Sequence, residues 1–194
     1  AVASVPLQEA RPIEESLIDP LLIADRCVAT VYDPELGPIN QVGITYRLTE
    51  SQGEIKGPAP ARGAHTEEVR AEAAKLPDPV PASAAPAPAD PPLKGIRVLD
   101  LGMAIAGPFG CQLLSDLGAE VIKVNTLWDQ YWHSTHIAYI ANRGKRSIQL
   151  MLKHPKGMEA LMKLIASADV VQHNMRYRAV EKMGLDYETL SKKF

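Results

Sequence analysis

Cysteine and aromatic residues are scarce in this chain of 194 residues. Its two cysteines, Cys27 and Cys111, lie far apart and in no Cys-x-x-Cys or Cys/His spacing, which argues against a disulfide framework and a zinc site. Only 5% of the residues are aromatic, so the hydrophobic 46% must build its core mostly from Ala, Val, Ile, Leu and Met. That composition favours helices layered on a sheet, which is an α/β fold.

The chain also lacks a strong charge of one sign and a long apolar run. A formal net charge of -2 at pH 7 gives no reason to expect nucleic acid or an acidic membrane surface as a partner. No apolar run reaches the roughly 18 to 20 residues that span a bilayer, and the first residues show no basic segment followed by an apolar one. We therefore expect a cytoplasmic protein without a membrane or nucleic-acid partner.

A segment rich in proline and alanine, residues 77–93, divides the sequence. Proline favours extended polyproline II geometry, and small residues leave nothing to bury, so such a segment acts as a spacer. We therefore predict a first segment over residues 1–76, a linker over residues 77–93 and a second segment over residues 94–194.

Strands and helices alternate over residues 94–194 at the spacing that builds βαβ units. One helix is predicted from Gly107-Pro108 to Gly118, and a second from Pro155 to about Ala166. Their predicted inward residues are Leu113, Leu114 and Leu117 in the first helix, and Leu161, Leu164 and Ile165 in the second. The predicted strands are residues 96–101, 120–124, 147–152 and 169–172. The pattern predicts an open, mostly parallel, Rossmann-like sheet with flanking helices, whose ligand binds beyond the carboxyl ends of the strands.

The first segment gives weaker local signals. It has helical potential over residues 17–26, a β-branched run over residues 27–32 and a mixture of turn and strand over residues 39–48. A short acidic helix is predicted over residues 65–76, with Thr66 as its cap. No function follows from these elements alone.

Five ordered blocks in the second segment carry a family pattern: residues 93–101, 106–109, 116–124, 142–147 and 168–185. The first reads Leu-Lys-Gly-Ile-Arg-Val-Leu-Asp-Leu, and the fourth reads Asn-Arg-Gly-Lys-Arg-Ser. Together they resemble the opening of the family III CoA-transferases, which include formyl-CoA and carnitine CoA-transferases and the α-methylacyl-CoA racemases. The resemblance implies a CoA or acyl-CoA substrate, a carboxylic acid as the second substrate, and no metal.

The resemblance also implies which residues line the CoA site. The loop 103–106 would lie along the thiol arm, and residues near the later strand ends would border the nucleotide. CoA phosphates need cations and backbone donors, while its adenine needs an apolar slot. The implied residues are Ala104, Ala106, Leu150, Lys153, Asn174, Met175, Ala179 and Lys182.

No catalytic residue is predicted within this chain. The family's transfer reaction uses an aspartate that attacks the acyl-CoA thioester, and the resemblance places that aspartate beyond Phe194. Asp186 is predicted to cap a helix, and Asp100 and Asp116 to be structural.

Histidines offer weaker alternatives. His133 and His136 could share one helix face as metal ligands, but no third ligand stands at a recognised spacing. His173 precedes the implied CoA loop and could touch the ligand.

Two loops depart from the family's pattern. Many relatives follow the second strand with an acid and then an arginine that reaches the CoA phosphates, where this chain has Asn125 and Thr126. Many oxalate-type transferases have His or Gln in the first loop, where this chain has Met103 and Ile105. The acyl specificity therefore stays open.

Residues 33–43 and 57–69 resemble the family's C-terminal end, so the order along the chain is an end, a linker and a beginning. This order predicts the junction of two CoA-transferase-like units in tandem. Since the family's subunits interlock, we expect a homodimer or association with the other unit of the tandem chain. The parent would be a CoA-transferase with an aspartyl intermediate, and this segment alone would be inactive. An α-methylacyl-CoA racemase and a non-catalytic structural unit remain alternatives.

Overall fold

The computed structural model of the chain describes residues 10–77, 89–129 and 135–194. Its internal contacts separate two compact units, Ala1–Pro81 and Ala82–Phe194, and each is described by itself. Most of the predicted linker, together with His133, lies outside the described residues.

The first unit is built around one β-hairpin. Its elements are α1 (Ile13–Ser16), α2 (Pro20–Ala24), β1 (Val28–Asp33), β2 (Gly37–Val42) and α3 (Thr66–Ala73). The two strands pair antiparallel. The helical potential over residues 17–26 is realised only in part, because Asp19 caps a new helix that begins at Pro20. The predicted Thr66 cap is wrong, since His65 holds the cap position and no side chain caps this helix.

The second unit is a parallel sheet with helices on both faces. Its elements are β3 (Arg97–Asp100), α4 (Ala106–Asp116), β4 (Glu120–Asn125), α5 (His136–Ala141), β5 (Arg146–Gln149), α6 (Pro155–Ile165), β6 (Val170–Gln172), α7 (Tyr177–Met183) and α8 (Tyr187–Leu190). The sheet order is β5-β4-β3-β6, and every neighbouring pair is parallel. The predicted α/β fold is confirmed. Within the described ranges, no helix is long and apolar enough to cross a membrane.

One predicted strand is shorter in the structure. Residues 147–152 were expected to be extended, whereas β5 ends at Gln149. The chain then turns back on itself, so that a β-carbon on Gly157 would lie 2.2 Å from the carbonyl oxygen of Met151. This close approach to the start of α6 ends the strand.

Alternating side chains of β3 and β4 supply two apolar clusters, one on each face of the sheet. Val98 and Val121 join Cys111 and Ala119 in the smaller cluster. The larger cluster contains Leu99, Leu101, Ile122, Val124, Leu161, Ile165, Val180 and Leu185. Helices therefore cover both faces and leave the ends of the strands for a site.

Of the three leucines predicted to point inward from helix α4, only Leu114 packs against the smaller apolar cluster. Leu113 and Leu117 are 47% and 46% exposed, while the buried residues of the helix are Gly107, Pro108, Cys111 and Gln112. Small residues bring the helix backbone close to the end of β3, which larger side chains would prevent. The exposed face carries an apolar stripe at four-residue spacing, made of Ile105, Phe109, Leu113 and Leu117.

Candidate functional site

The candidate site lies where β3 and β6 end side by side. From β3 the chain passes through α4 to β4, whereas β6 pairs with the opposite edge of β3. The loops after these two strands therefore diverge, and open parallel sheets bind ligands in the crevice at such a switch point. The two loops are residues 101–105 and 173–176.

Asn174 ties these two loops together. Its side-chain oxygen accepts a hydrogen bond of 2.8 Å from the Met103 N–H, and its amide nitrogen donates one of 2.9 Å to the Met103 carbonyl. The predicted site residue therefore uses both ends of its amide to hold the neighbouring backbone. Gly102 and Gly107 approach so closely that a β-carbon on either would lie 2.8 Å from the other's α-carbon.

The β3–α4 loop carries local backbone strain. Ala104 adopts the left-handed region with φ of 57°, which costs a non-glycine residue about 1 kcal/mol or more. Ala104 is half-buried, and Ala106 is exposed at the start of α4. Such strain persists only where the surrounding structure fixes the backbone, so the loop is firmly held.

The other predicted site residues fall into an apolar pair and an exposed group. Leu150 and Met175 are half-buried and pack against the larger apolar cluster. Lys153, in the turn before α6, and Lys182, on α7, are exposed and form no ion pair within the described ranges. Ala179 is exposed on α7. Both lysine ammonium groups are therefore available to an anionic ligand.

Three buried charged residues beneath the loop were missed as site residues. The carboxylate of Asp100 lies 3.5 Å from the Lys123 ammonium and 2.7 Å from that of Lys145. All three side chains are at most 2% exposed. Burial lowers the pKa of Lys123, and the nearby Asp100 carboxylate opposes that shift. A lysine inside the apolar run Val-Ile-Lys-Val was the available sequence signal, because such a charge needs a buried partner.

The structural roles predicted for Asp116 and Asp186 are confirmed. Asp116 forms two hydrogen bonds with Arg143, at 3.3 and 2.6 Å, which lower the pKa of its carboxyl group. Asp186 caps α8 by accepting a bond of 2.9 Å from the Thr189 N–H, and its bonds to Thr189 lower its pKa.

His173 directly follows β6. It lines a cavity of about 310 Å³ with apolar residues that include Leu185 and Phe194. Within the described part of the chain, its buried Nδ1 atom has no hydrogen-bond partner.

The alternative that His133 and His136 share a helix face as metal ligands is not tested, because His133 is outside the described residues. In the ranges that the structure describes, no three His, Cys, Asp or Glu residues are grouped so that they could hold a metal ion.

Comparison with known proteins gives consistent matches to the second unit. The family described as "CoA-transferase family III" matches residues 93–194. A succinate–glutarate CoA-transferase from Agrobacterium fabrum is 39% identical over 122 residues, which cover 52% of this chain and 29% of the relative. An α-methylacyl-CoA racemase from Mus musculus is 42% identical over 98 residues, which cover 50% of this chain and 24% of the relative.

A solved structure gives a similar result. A CAIB/BAIF family protein from Brucella suis is 37% identical with a TM-score of 0.50, and the match covers 54% of this chain and 31% of that protein. The chain thus spans less than a third of the length of each of these three relatives.

Proposed function

The chain belongs to CoA-transferase family III, and on that premise we propose that residues 94–194 form the CoA-binding portion of an acyl-CoA enzyme. The parent protein would transfer CoA between an acyl-CoA and a carboxylic acid. This reaction class is the one named for the relative from Agrobacterium fabrum.

The bridge between Asn174 and Met103 carries the proposal, because it joins the two loops that diverge at the switch point. The exposed residues of the loop 103–106 and the exposed ammonium groups of Lys153 and Lys182 match the needs of a thiol arm and of phosphates. Leu150 and Met175 would offer apolar surface to the nucleotide. CoA would be bound as a substrate, with no metal in the reaction.

The chemistry of transfer would be performed by an aspartate that is not among these 194 residues. Its carboxylate oxygen attacks the thioester carbon, the C–S bond breaks, and a mixed anhydride and free CoA thiolate form. The bound thiolate then attacks the aspartyl carbonyl of the anhydride, which gives an aspartyl-CoA thioester and releases the donor's carboxylate. The acceptor's carboxylate reacts through the same steps in reverse, which forms the new acyl-CoA and restores the aspartate. In this scheme the present residues bind and orient CoA, and the chain alone is inactive.

Isothermal titration calorimetry of the chain with free CoA tests the binding proposal. Lys153→Ala or Lys182→Ala should each weaken binding by about tenfold, since a hydrogen bond to a charged group contributes about 1.5 kcal/mol or more. Lys163→Ala is the matched control, because this exposed lysine on α6 pairs with Glu159. Equal affinities for all four proteins would contradict the assigned site, and no binding by the unaltered chain would favour a non-catalytic structural unit.

A racemase is the second candidate, favoured by the 42% identity to the mouse α-methylacyl-CoA racemase. Such an enzyme keeps the acyl group on CoA and exchanges its α-proton. The whole parent protein, incubated in D₂O with an acyl-CoA and a free carboxylic acid, separates the two reactions. Deuterium at the α-carbon without new acyl-CoA would support the racemase, whereas a new acyl-CoA product would support the transferase.

We also propose that residues 1–76 end one CoA-transferase-like unit and that residues 94–194 begin another. The apolar stripe on α4 supports association, either as a homodimer or with the other unit of the tandem protein. Light scattering after size-exclusion chromatography should give twice the 21.1 kDa monomer mass if two copies associate. A monomer at all concentrations would contradict the homodimer.

A further inference from the structure

Three buried charged side chains form hydrogen bonds with the backbone at the two ends of the β3–α4 connection. Asp100 accepts a hydrogen bond of 2.8 Å from the Gly102 N–H, and Lys123 donates one to the Gly102 carbonyl. Lys145 donates a bond of 2.7 Å to the carbonyl of Pro108, in the first turn of α4. The backbone is therefore anchored on both sides of residues 103–107.

Between these anchors lie the residues that would face the ligand. Met103 and Ile105 are 39% and 53% exposed, and Ala104 between them is held at φ of 57°. A strained backbone next to exposed side chains relaxes unless its flanks are fixed. The two buried lysines bond to those flanks, at Gly102 and at Pro108.

The composition of the cluster points to positioning rather than to stability. Two ammonium groups are buried beside the Asp100 carboxylate, and the Asp129 carboxylate also attracts that of Lys123. Burying an ion is costly, and buried ion pairs add little stability compared with apolar residues. Each lysine, however, holds a different carbonyl, Lys123 that of Gly102 and Lys145 that of Pro108.

We propose that Asp100, Lys123 and Lys145 are positioning residues that hold the β3–α4 loop in the shape that receives the thiol arm of acyl-CoA. This inference rests on the proposed function for the identity of the ligand. The hydrogen bonds from the three side chains to the backbone do not depend on which ligand binds. The cluster acts only through the backbone at Gly102 and Pro108, with no contact to CoA required.

Because two lysines contact Asp100, one can be replaced while the carboxylate keeps the other as its partner. In Lys145→Met the carboxylate of Asp100 keeps Lys123 as its partner, so one anchor is lost while a charge pair remains. Lys123→Met is the reciprocal variant, and Lys163→Met, in an exposed pair with Glu159, is the control. Each protein is studied by amide hydrogen exchange and by calorimetric titration with free CoA.

In Lys145→Met and Lys123→Met, we expect the amides of Met103 and Phe109 to exchange at least about tenfold faster. These amides donate to Asn174 and to the Ile105 carbonyl, so they report directly on the loop. Amides of the β3–β4 ladder should keep their protection. Affinity for CoA should fall by about tenfold, and Lys163→Met should change neither quantity.

The outcomes separate the two proposals. If the unaltered chain fails to bind CoA, the proposed function is wrong. The rates of amide hydrogen exchange in the loop then test the positioning role by themselves. Unchanged exchange at Met103 and Phe109 in both lysine variants would overturn that role. Equal acceleration in the loop and the β3–β4 ladder would also overturn it, because the cluster would then stabilise the whole unit.

Discussion

Replacing Asp100 by asparagine should destabilise the second unit severely. The carboxylate is fully buried and lies within 3.5 Å of two lysine ammonium groups that are themselves at most 2% exposed. Asp100→Asn keeps the shape and an oxygen that can accept from the Gly102 N–H, but it removes the negative charge. Breaking a buried ion pair from one side costs about 3 to 5 kcal/mol, which is a large fraction of the 5 to 15 kcal/mol that typically stabilises a domain.

Urea denaturation followed by circular dichroism measures this loss. The control is Glu159→Gln, which removes an exposed ion pair with Lys163 and should cost less than about 1 kcal/mol. A loss for Asp100→Asn no larger than the control would refute the view that the two buried lysines depend on this carboxylate.

The pH dependence of this loss in unfolding free energy is a second test of the interaction between Asp100 and Lys123. Burial already lowers the pKa of Lys123, while the carboxylates of Asp100 and Asp129 raise it. Without Asp100 that pKa falls further, so Lys123 loses its proton more readily as the pH rises. The difference in unfolding free energy between Asp100→Asn and the unaltered chain should therefore shrink as the pH rises toward 10.5, the ordinary pKa of lysine. A constant difference would contradict this cause.

Three further predictions concern packing and capping. A thiol reagent should modify exposed Cys27 quickly and buried Cys111 only on unfolding. Burial raises the pKa of the Cys111 thiol from 9.0 to about 11. The contribution of this thiol to the free energy of unfolding should therefore be present below about pH 9 and be lost toward about pH 11. Gly107→Ala should lower the free energy of unfolding, measured in urea, by about 1 to 3 kcal/mol, because its methyl group would lie 2.8 Å from a backbone carbon. Gly110→Ala, in the same helix with open space around it, should raise that free energy by about 0.5 to 1 kcal/mol. Asp186→Ala should cost about 1 kcal/mol through loss of the α8 cap, and an unchanged melting temperature would contradict the assigned bond.

Periodic segments explain what the sequence could predict. The apolar runs that became β3, β4 and β6, and the face of α6 with Leu161 and Ile165, are long enough to determine an element and its inward side. The face of α4 could not be predicted in this way. Hydrophobic periodicity puts the largest side chains inward, whereas the close contact of Gly102 with Gly107 demands the smallest ones.

The partners within the buried charge cluster could not be predicted for a different reason, although Lys123 in its apolar run indicates a buried charge. Lys145 and Asp100 are 45 residues apart and come together only because β5, β4 and β3 are neighbours in the sheet. Likewise Asn174 could be predicted as a site residue from family resemblance, but its bonds to Met103 depend on the pairing of β6 with β3. Spacing along the chain carries no information about such contacts.

Chemical-shift mapping with ¹⁵N-labelled chain and free CoA tests whether CoA binds at the carboxyl edge of the sheet. We expect CoA to shift amides in the segments 101–106, 150–154 and 173–182, which follow β3, β5 and β6. The first unit contains an alternative candidate site for CoA, a cavity of about 420 Å³ whose lining includes Arg26 and Arg47. Shifts confined to these three segments would support CoA binding at this edge, and shifts confined to that cavity, or none at saturating CoA, would contradict it.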